Sequence, residues 1–135
     1  MSEVRGAVWC VVVDENGRAH VRARRCSSCA AVITHESIAC PSCGKRGTLK
    51  DFQVAERGRL HSWSIVHRSF PGVKVPFISA VVDLEDGTVL KGNLRGIEPK
   101  PEALRFDMPV RLVLDDAGRK DSKGNSYVSY FFDPA

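Results

Sequence analysis

Four of the five cysteines occur as two close pairs with the spacing of a metal site. Cys26 and Cys29 form the first pair, and ten residues later Cys40 and Cys43 form the second, followed by Gly44. Two residues between paired cysteines let both sulfurs point at one ion from a tight turn. Two such knuckles supply four thiolates in a tetrahedral arrangement. The spacing therefore predicts a structural zinc site, with iron in a rubredoxin-like site as the alternative.

Such a site predicts support for folding rather than metal catalysis, because four cysteines leave no open position for water. Four thiolates carry more negative charge than the metal neutralises. The cations flanking the pairs offset part of that excess, and they are Arg24, Arg25, Lys45 and Arg46. Reduced, buried cysteines or a redox pair are the alternatives without a metal.

The fifth cysteine, Cys10, lies in an apolar segment next to Trp9 and Val11. An odd number of cysteines argues against a disulfide scaffold. We expect Cys10 to be a small buried core residue, with a catalytic nucleophile as the alternative.

The chain shows no constellation of residues typical of an enzyme. It has no glycine-rich phosphate loop, no G-x-S-x-G elbow and no H-E-x-x-H motif. The histidines are scattered along the chain at His20, His35, His61 and His67. We therefore do not expect catalysis by the chain alone, and an enzyme acting through Cys10 or His67 is the weakest of three hypotheses.

A loop between two predicted strands carries an aromatic side chain and two cations, Arg68, Phe70 and Lys74. Arg68 or Lys74 could hold the phosphates of a ligand, and Phe70 could lie against a flat ring. An ordinary solvated loop explains the same residues equally well. Near the end of the chain, Phe131 and Phe132 face opposite sides of a strand, so one can be core while the other needs a cover such as a partner subunit.

The first part of the chain, residues 1–54, predicts a β-hairpin followed by a zinc ribbon. Residues 7–13 are apolar and rich in valine, Asn16-Gly17 favours a hairpin turn, and residues 18–24 alternate. We therefore expect a hairpin over residues 7–24. Further short strands are expected at residues 31–34 and 48–54.

The second part, residues 55–135, predicts five strands and almost no helix. A five-stranded unit of this size suits an OB-fold barrel, with a small sandwich as the rival. We expect one helical turn at residues 102–106 and a polar turn region at residues 115–125. The expected strands are residues 59–67, 77–84, 88–94, 110–114 and 126–132.

Composition is that of an ordinary globular protein, with 135 residues, 43% hydrophobic and 27% charged. No run approaches the roughly 20 apolar residues of a membrane helix. Glu3 and Arg5 interrupt the place where a signal peptide would build its apolar stretch, so we expect a soluble, cytoplasmic protein. The net charge of +4 is modest for a nucleic-acid binder.

Taken in order, the motifs resemble those of zinc-ribbon plus OB-fold accessory subunits of thiolase-like acyl-CoA enzymes. The resemblance covers about residues 25–135. It begins at the cysteine pairs and continues through residues 58–67, Pro76-Phe77, residues 82–87 and Met108-Pro109-Val110. Benzoylsuccinyl-CoA thiolase and archaeal acetoacetyl-CoA thiolase complexes contain subunits of this kind.

The resemblance implies a rubredoxin-like zinc ribbon joined to an OB-fold, and a partner that supplies the catalytic cysteine and histidines. It implies a role in stabilising the partner and completing its CoA site. Two features depart from the family pattern. Ala30 stands where members often have glycine after the first knuckle, and the chain begins with a hairpin rather than a helical arm.

The leading hypothesis is therefore a non-catalytic zinc-binding subunit of a thiolase-like enzyme, with Arg68, Phe70 and Lys74 contacting CoA or acyl-CoA. The alternative is a nucleic-acid-binding module, since zinc ribbons and OB-folds both occur in such proteins. Trp63, Phe70 and Phe77 could then stack on bases. The second half of the chain is nearly neutral, which argues against that alternative because phosphate contacts need cations.

Overall fold

The computed structural model describes residues 5–6, 8–120, 124 and 126–135, and its regular elements there are β-strands and one short 3-10 helix. The mainly β fold class is confirmed. Ala7 of the predicted hairpin, and residues 121–123 and 125 of the predicted polar turn, lie outside the described residues. The strands are β1 (Arg5–Gly6), β2 (Val11–Val13), β3 (Ala19–Cys26), β4 (Val32–Ile33), β5 (Leu49–Gln53), β6 (Arg57–Val66), β7 (Phe77–Leu84), β8 (Val89–Leu94), β9 (Pro109–Lys120) and β10 (Ser126–Pro134).

The described chain forms two compact units. The first takes in the described residues up to Val54 together with those from Leu114 to Tyr130. The second consists of residues 55–113 and 131–135. Among the residues described, no helix has the length and apolar character needed to cross a membrane.

The predicted N-terminal hairpin is formed by β2 and β3, with Val12 opposite His20. Its turn is held by the Asp14 carboxylate, which accepts hydrogen bonds from the backbone N–H groups of Asn16 and Arg18, both at 2.9 Å. The first strand is shorter than predicted. Residues 8–10 form a turn, in which the Val11 N–H donates to the Val8 carbonyl at 3.1 Å, so β2 begins only at Val11.

The strand β3 organises the rest of the first unit. Its first half pairs with β2, and its second half pairs with β4 and β5, all antiparallel. Val21 and Ala23 on β3 are buried. The short strand β1 pairs in parallel with β10, Arg5 lying opposite Tyr127.

The second unit is the five-stranded OB-fold barrel, and the rival sandwich is wrong. The strands β6, β7 and β8 form an antiparallel meander, β9 pairs with the start of β6, and β10 pairs with both β8 and β9. Leu94 of β8 lies opposite Phe132 of β10 in a parallel pair. The core consists of the buried side chains Leu60, Ile78, Ala80, Val82, Leu84, Leu90, Leu94, Leu104, Met108, Val110 and Phe132.

The last two strands differ from their predicted bounds. β9 continues to Lys120, so the predicted polar turn over residues 115–120 is wrong. Polar residues persist in this stretch because β9 pairs with β10, and backbone hydrogen bonds tolerate polar side chains. The predicted helical turn occurs slightly earlier, as a 3-10 helix over Pro101–Ala103.

The adjacent aromatics of β10 separate as expected. Phe132 is fully buried in the barrel core. Phe131 is covered by the Arg95 guanidinium, which lies 4.3 Å from the ring centroid and also pairs with Asp133 at 3.4 Å. The predicted cover is therefore supplied by this chain itself.

Candidate metal centre

The four cysteine sulfurs converge on one point. All lie within 4.8 Å of one another. The Cys29 and Cys40 sulfurs are 3.6 Å apart, and those of Cys26 and Cys43 are 3.7 Å apart. A zinc ion with Zn–S bonds of about 2.3 Å requires S–S edges of about 3.8 Å. The donor set and its spacing therefore fit a tetrahedral zinc ion.

The two knuckles share one backbone design. In the first, the Ala30 N–H donates to the Cys26 carbonyl at 2.9 Å, and in the second, the Gly44 N–H donates to the Cys40 carbonyl at 2.7 Å. The residue after each knuckle is in the left-handed region, with φ of 64° at Ala30 and 78° at Gly44. Ala30 thus occupies a position that glycine fills in the second knuckle.

Neighbouring strands fix the knuckles in place. Cys26 ends β3, and Cys40 follows Ala39, which forms an isolated antiparallel bridge with Arg46. The Cys26 and Cys40 side chains are buried with Ile33, whereas those of Cys29 and Cys43 are exposed. Each knuckle therefore offers one buried and one exposed sulfur to the ion.

Thr48 supports the first knuckle, and sequence reasoning missed it. Its hydroxyl lies 3.2 Å from the Cys26 sulfur and can donate to a thiolate there. This hydroxyl, with the backbone N–H groups of Cys29 and Ser28, lowers the pKa of Cys26 to about 6. The β3–β5 register brings Thr48 into place, since Leu49 lies opposite Cys26.

The pKa values of Cys40 and Cys43 shift in opposite directions. Hydrogen bonds from the backbone N–H groups of Cys43 and Ser42 lower the pKa of Cys40. The Lys45 N–H lowers the pKa of Cys43, but desolvation and the three neighbouring sulfurs outweigh it and raise that pKa to about 11. A bound cation offsets the repulsion among neighbouring thiolates, so metal binding releases protons.

The cations flanking the cysteines are partly occupied elsewhere. Arg24 forms an ion pair with Asp51 at 2.6 Å, and Arg22 lies 3.7 Å from the same carboxylate. Both guanidinium groups stack on the Trp9 ring, at 4.9 Å and 4.1 Å from its centroid. The charge of Arg24 is therefore directed mainly at Asp51.

The predicted ligand-contact residues lie in the second unit, in the loop between β6 and β7. Arg68, Phe70 and Lys74 are all exposed, and the Phe70 side chain is 83% exposed. The Val73 N–H donates to the Phe70 carbonyl at 3.1 Å, which makes a turn at the tip of the loop. Their role in ligand contact stays a prediction.

The remaining candidates for chemistry occupy unremarkable positions. Cys10 is buried, as expected, and burial raises the pKa of its thiol. His61 Nδ1 lies 2.9 Å from the Asp83 carboxylate, on the exposed surface of β6 and β7. His67 is exposed directly after β6.

Comparisons with known proteins match the barrel and most of the chain. Residues 52–115 match the family model described as ChsH2, C-terminal OB-fold domain. A DUF35 domain-containing scaffold protein from Pyrococcus furiosus is 32% identical over 97 residues, which cover 70% of this chain and 69% of the relative. The chain belongs to the family of DUF35 domain-containing scaffold proteins. The resemblance inferred from the motifs is thereby confirmed.

Two further relatives of this DUF35 chain are similar over most of its length. The benzoylsuccinyl-CoA thiolase subunit BbsA of Thauera aromatica is 28% identical over 121 residues, covering 87% of this chain and 78% of BbsA. A solved structure titled Ltp2-ChsH2(DUF35) aldolase contains a chain that superposes with a TM-score of 0.66 at 28% identity. That match covers 85% of this chain and 84% of the other.

Proposed function

We propose that this DUF35 chain is a non-catalytic, zinc-binding subunit of a thiolase-like acyl-CoA enzyme. The observation that carries the proposal is its similarity, over 87% of its length, to a protein described as a benzoylsuccinyl-CoA thiolase subunit. The cysteine cluster supports a structural role, because four sulfur ligands leave no coordination position for a substrate.

The metal would act on folding. Cys26, Cys29, Cys40 and Cys43 would hold zinc, which supplies the free energy that fixes two short knuckles in one conformation. The ribbon core is small, with Ile33 as its buried non-cysteine member and Ala31 and Leu49 packed against it. Such a core gains most of its stability from the metal.

The loop between β6 and β7 would contribute to the CoA site of the complex. CoA carries phosphates and a flat adenine ring. Arg68 and Lys74 could donate charge-assisted hydrogen bonds to the phosphates, and the exposed Phe70 ring could stack on the adenine. Their exposure suits contact with a ligand that another subunit also holds.

The first experiment is affinity purification of the tagged, full-length chain from its native host, with mass spectrometry of what is recovered. We expect a thiolase-like protein in a fixed ratio to the chain, and thiolase activity on an acyl-CoA from the recovered pair. Recovery of an aldolase instead would correct the partner class. Recovery of nucleic acid without any acyl-CoA enzyme would refute the proposal in favour of the nucleic-acid-binding alternative.

The loop is tested on the recovered complex. We expect Arg68→Ala and Lys74→Ala each to weaken CoA binding several-fold, since each removes a cation facing a phosphate, while the subunit ratio stays unchanged. Arg18→Ala, which removes an exposed cation from the hairpin turn, is the matched control. Equal CoA affinity in all three variants and the wild type would show that the loop does not contact CoA.

A further inference from the structure

Two arginines lie directly opposite each other on neighbouring strands of the barrel. In the antiparallel pair of β6 and β9, Arg57 is the register partner of Arg111. Like charges at directly opposite positions destabilise a sheet. Opposite-charge partners are the usual solution, as where Arg59 of β6 faces Asp83 of β7. The two guanidinium groups therefore repel each other, and a negative charge from outside the strands can relieve that repulsion.

The ladder places these two side chains in its closest arrangement. The Leu112 N–H donates to the Glu56 carbonyl at 2.7 Å, which makes Glu56 and Leu112 a hydrogen-bonded pair. Pairs alternate along an antiparallel ladder, so Arg57 and Arg111 form the adjacent non-hydrogen-bonded pair. Cα atoms in such pairs are about 4.5 Å apart, and side chains approach most closely there.

The carboxylates nearby do not neutralise the pair. Among the residues described, no carboxylate oxygen lies within ion-pair distance of Arg57 or Arg111. Glu56 precedes Arg57 on the chain, and Glu85 donates its backbone N–H to the Arg57 carbonyl at 3.0 Å. Both glutamates are exposed.

The arginine pair opens onto a groove of about 360 Å³. Glu56 is the one carboxylate in its lining, so two cations and one anion leave the groove with a net charge of +1. The remaining lining residues, Leu112 and Val113, are half-buried, and of these Val113 shares the face of β9 that carries Arg111, because side chains alternate along a strand. The groove thus places one aliphatic side chain beside the two cations.

We propose that Arg57 and Arg111 form a binding site for an oxyanion headgroup, a carboxylate or a phosphate, whose attached carbon chain lies on Val113. Two guanidinium groups side by side present the paired N–H donors that planar or tetrahedral oxyanions accept. The bound anion would lie between the charges that otherwise repel. This site is at the start of β6, whereas the loop of Arg68 follows the end of β6, so it is separate from the proposed CoA contacts and can fail independently of them.

The test uses the full chain loaded with zinc and labelled with nitrogen-15, observed by NMR at the arginine side-chain Nε–H groups. Sodium hexanoate, inorganic phosphate and hexylammonium chloride are titrated separately at constant ionic strength. We expect saturable shifts of the Arg57 and Arg111 signals with an anion and none with hexylammonium. Tighter binding of hexanoate would identify a carboxylate headgroup, and tighter binding of phosphate would identify a phosphate. No saturable shift with either anion would overturn the proposal.

Variants separate this site from general anion effects. Arg111→Gln should weaken anion binding at least 10-fold, because it removes one of the two guanidinium groups. Arg105→Gln, which changes an exposed arginine elsewhere in the second unit, should leave binding unchanged. In low salt without anion, Arg111→Gln should melt at a higher temperature than the wild type, and hexanoate or phosphate should narrow that difference. An Arg111→Gln variant that binds the anion as tightly as the wild type would contradict the assignment.

Discussion

Ala30 adopts a φ of 64°, a conformation that costs a residue with a Cβ about 1–2 kcal/mol. Glycine avoids this cost but loses about 0.5–1 kcal/mol of conformational entropy on folding. We therefore predict that Ala30→Gly raises the free energy of unfolding of the zinc-loaded protein by about 0.5–1 kcal/mol. Chemical denaturation at fixed zinc concentration measures the change.

Ser28→Gly is the control for that substitution, since Ser28 lies in the same knuckle and its N–H donates to the Cys26 sulfur at 3.4 Å. Its backbone needs no left-handed conformation, so glycine there should lower stability. An equal loss of unfolding free energy in both variants would show that the left-handed conformation of Ala30 does not lower the stability of the wild type.

Thr48 affects the metal through the Cys26 thiolate. Thr48→Val keeps the shape of the side chain and removes the hydroxyl that, more than any other group, lowers the pKa of Cys26 to about 6. The pKa should rise towards 9, so protons compete better with zinc. We predict roughly 10- to 100-fold weaker zinc binding, the usual effect of losing a group that supports a ligand.

A competition titration with a chromophoric chelator, repeated between pH 5 and 8, measures this effect. The pH at which half the zinc is released should be higher in Thr48→Val than in the wild type. Thr34→Val, which changes a threonine between the knuckles, is the matched control. Wild-type affinity in Thr48→Val would mean that the hydroxyl does not support the zinc-bound thiolate.

Tyr130 makes the stability of the first unit depend on pH in alkaline solution. Burial, and then the charge of Cys10, raise the pKa of the phenol to about 12, from about 10 in the unfolded chain. The unfolded state therefore loses its proton first. Stability is fully present below pH 10 and declines as the pH rises towards 12.

We predict that Tyr130→Phe is less sensitive than the wild type to this change in pH. Denaturant midpoints at pH 9, 10 and 11 measure it, with Tyr127→Phe as the matched control. If stability falls equally at alkaline pH in Tyr130→Phe and in the wild type, another group is responsible for the decline.

At the scale of the elements, one row across the barrel combines a large side chain with small ones. Trp63 of β6 lies opposite Ala80 of β7, and Ala80 lies opposite Gly92 of β8. Ala80 is fully buried, and the Trp63 ring also packs against Phe106, with 4.8 Å between centroids and 46° between the ring planes. The small residues leave the volume that the indole needs.

Enlarging the middle of this row should therefore destabilise the barrel. We predict that Ala80→Leu lowers the free energy of unfolding by about 1–3 kcal/mol through overpacking. Ser79→Leu, one position away on the opposite face of β7, should change it by no more than about 0.5 kcal/mol. Thermal melts of both variants test the assignment of faces, and equal losses would contradict it.

Local patterns predicted some elements well and others poorly. The predicted bounds of β7, residues 77–84, match the structure because its alternation is clean and Asp86-Gly87 ends it with a tight turn. The extension of β9 to Lys120 could not be predicted from its polar residues, since pairing with β10 maintains the strand. Backbone pairing between these two strands leaves little trace in side-chain polarity.

The same distinction applies to the candidate sites. The cysteine cluster could be predicted because its ligands come from two short turns with fixed spacing. Thr48, and the opposition of Arg57 and Arg111, depend on strand register, which the sequence alone does not supply. Register therefore determines which distant polar residues meet.

For the whole molecule, the ribbon and the barrel have cores of different kinds. In the ribbon, the buried cluster consists of Cys26, Cys40 and Ile33, so two of its three members are candidate metal ligands. In the barrel, Leu60, Val82 and Phe132 are each fully buried without any cysteine among them. Loss of the metal should therefore affect the two cores unequally.

We predict that a zinc chelator increases amide hydrogen exchange over residues 26–46 by orders of magnitude while β7 stays protected. Removing zinc leaves four thiols in a cluster too small to fold on apolar burial alone, whereas β7 contributes four buried side chains to the barrel. Hydrogen exchange with mass spectrometry on the full chain measures both regions at once, and Cys40→Ser should reproduce the effect without chelator. Restored protection after zinc is added back identifies the metal as the cause. Equal loss of protection in β7 would show instead that the barrel, too, depends on the metal for its stability.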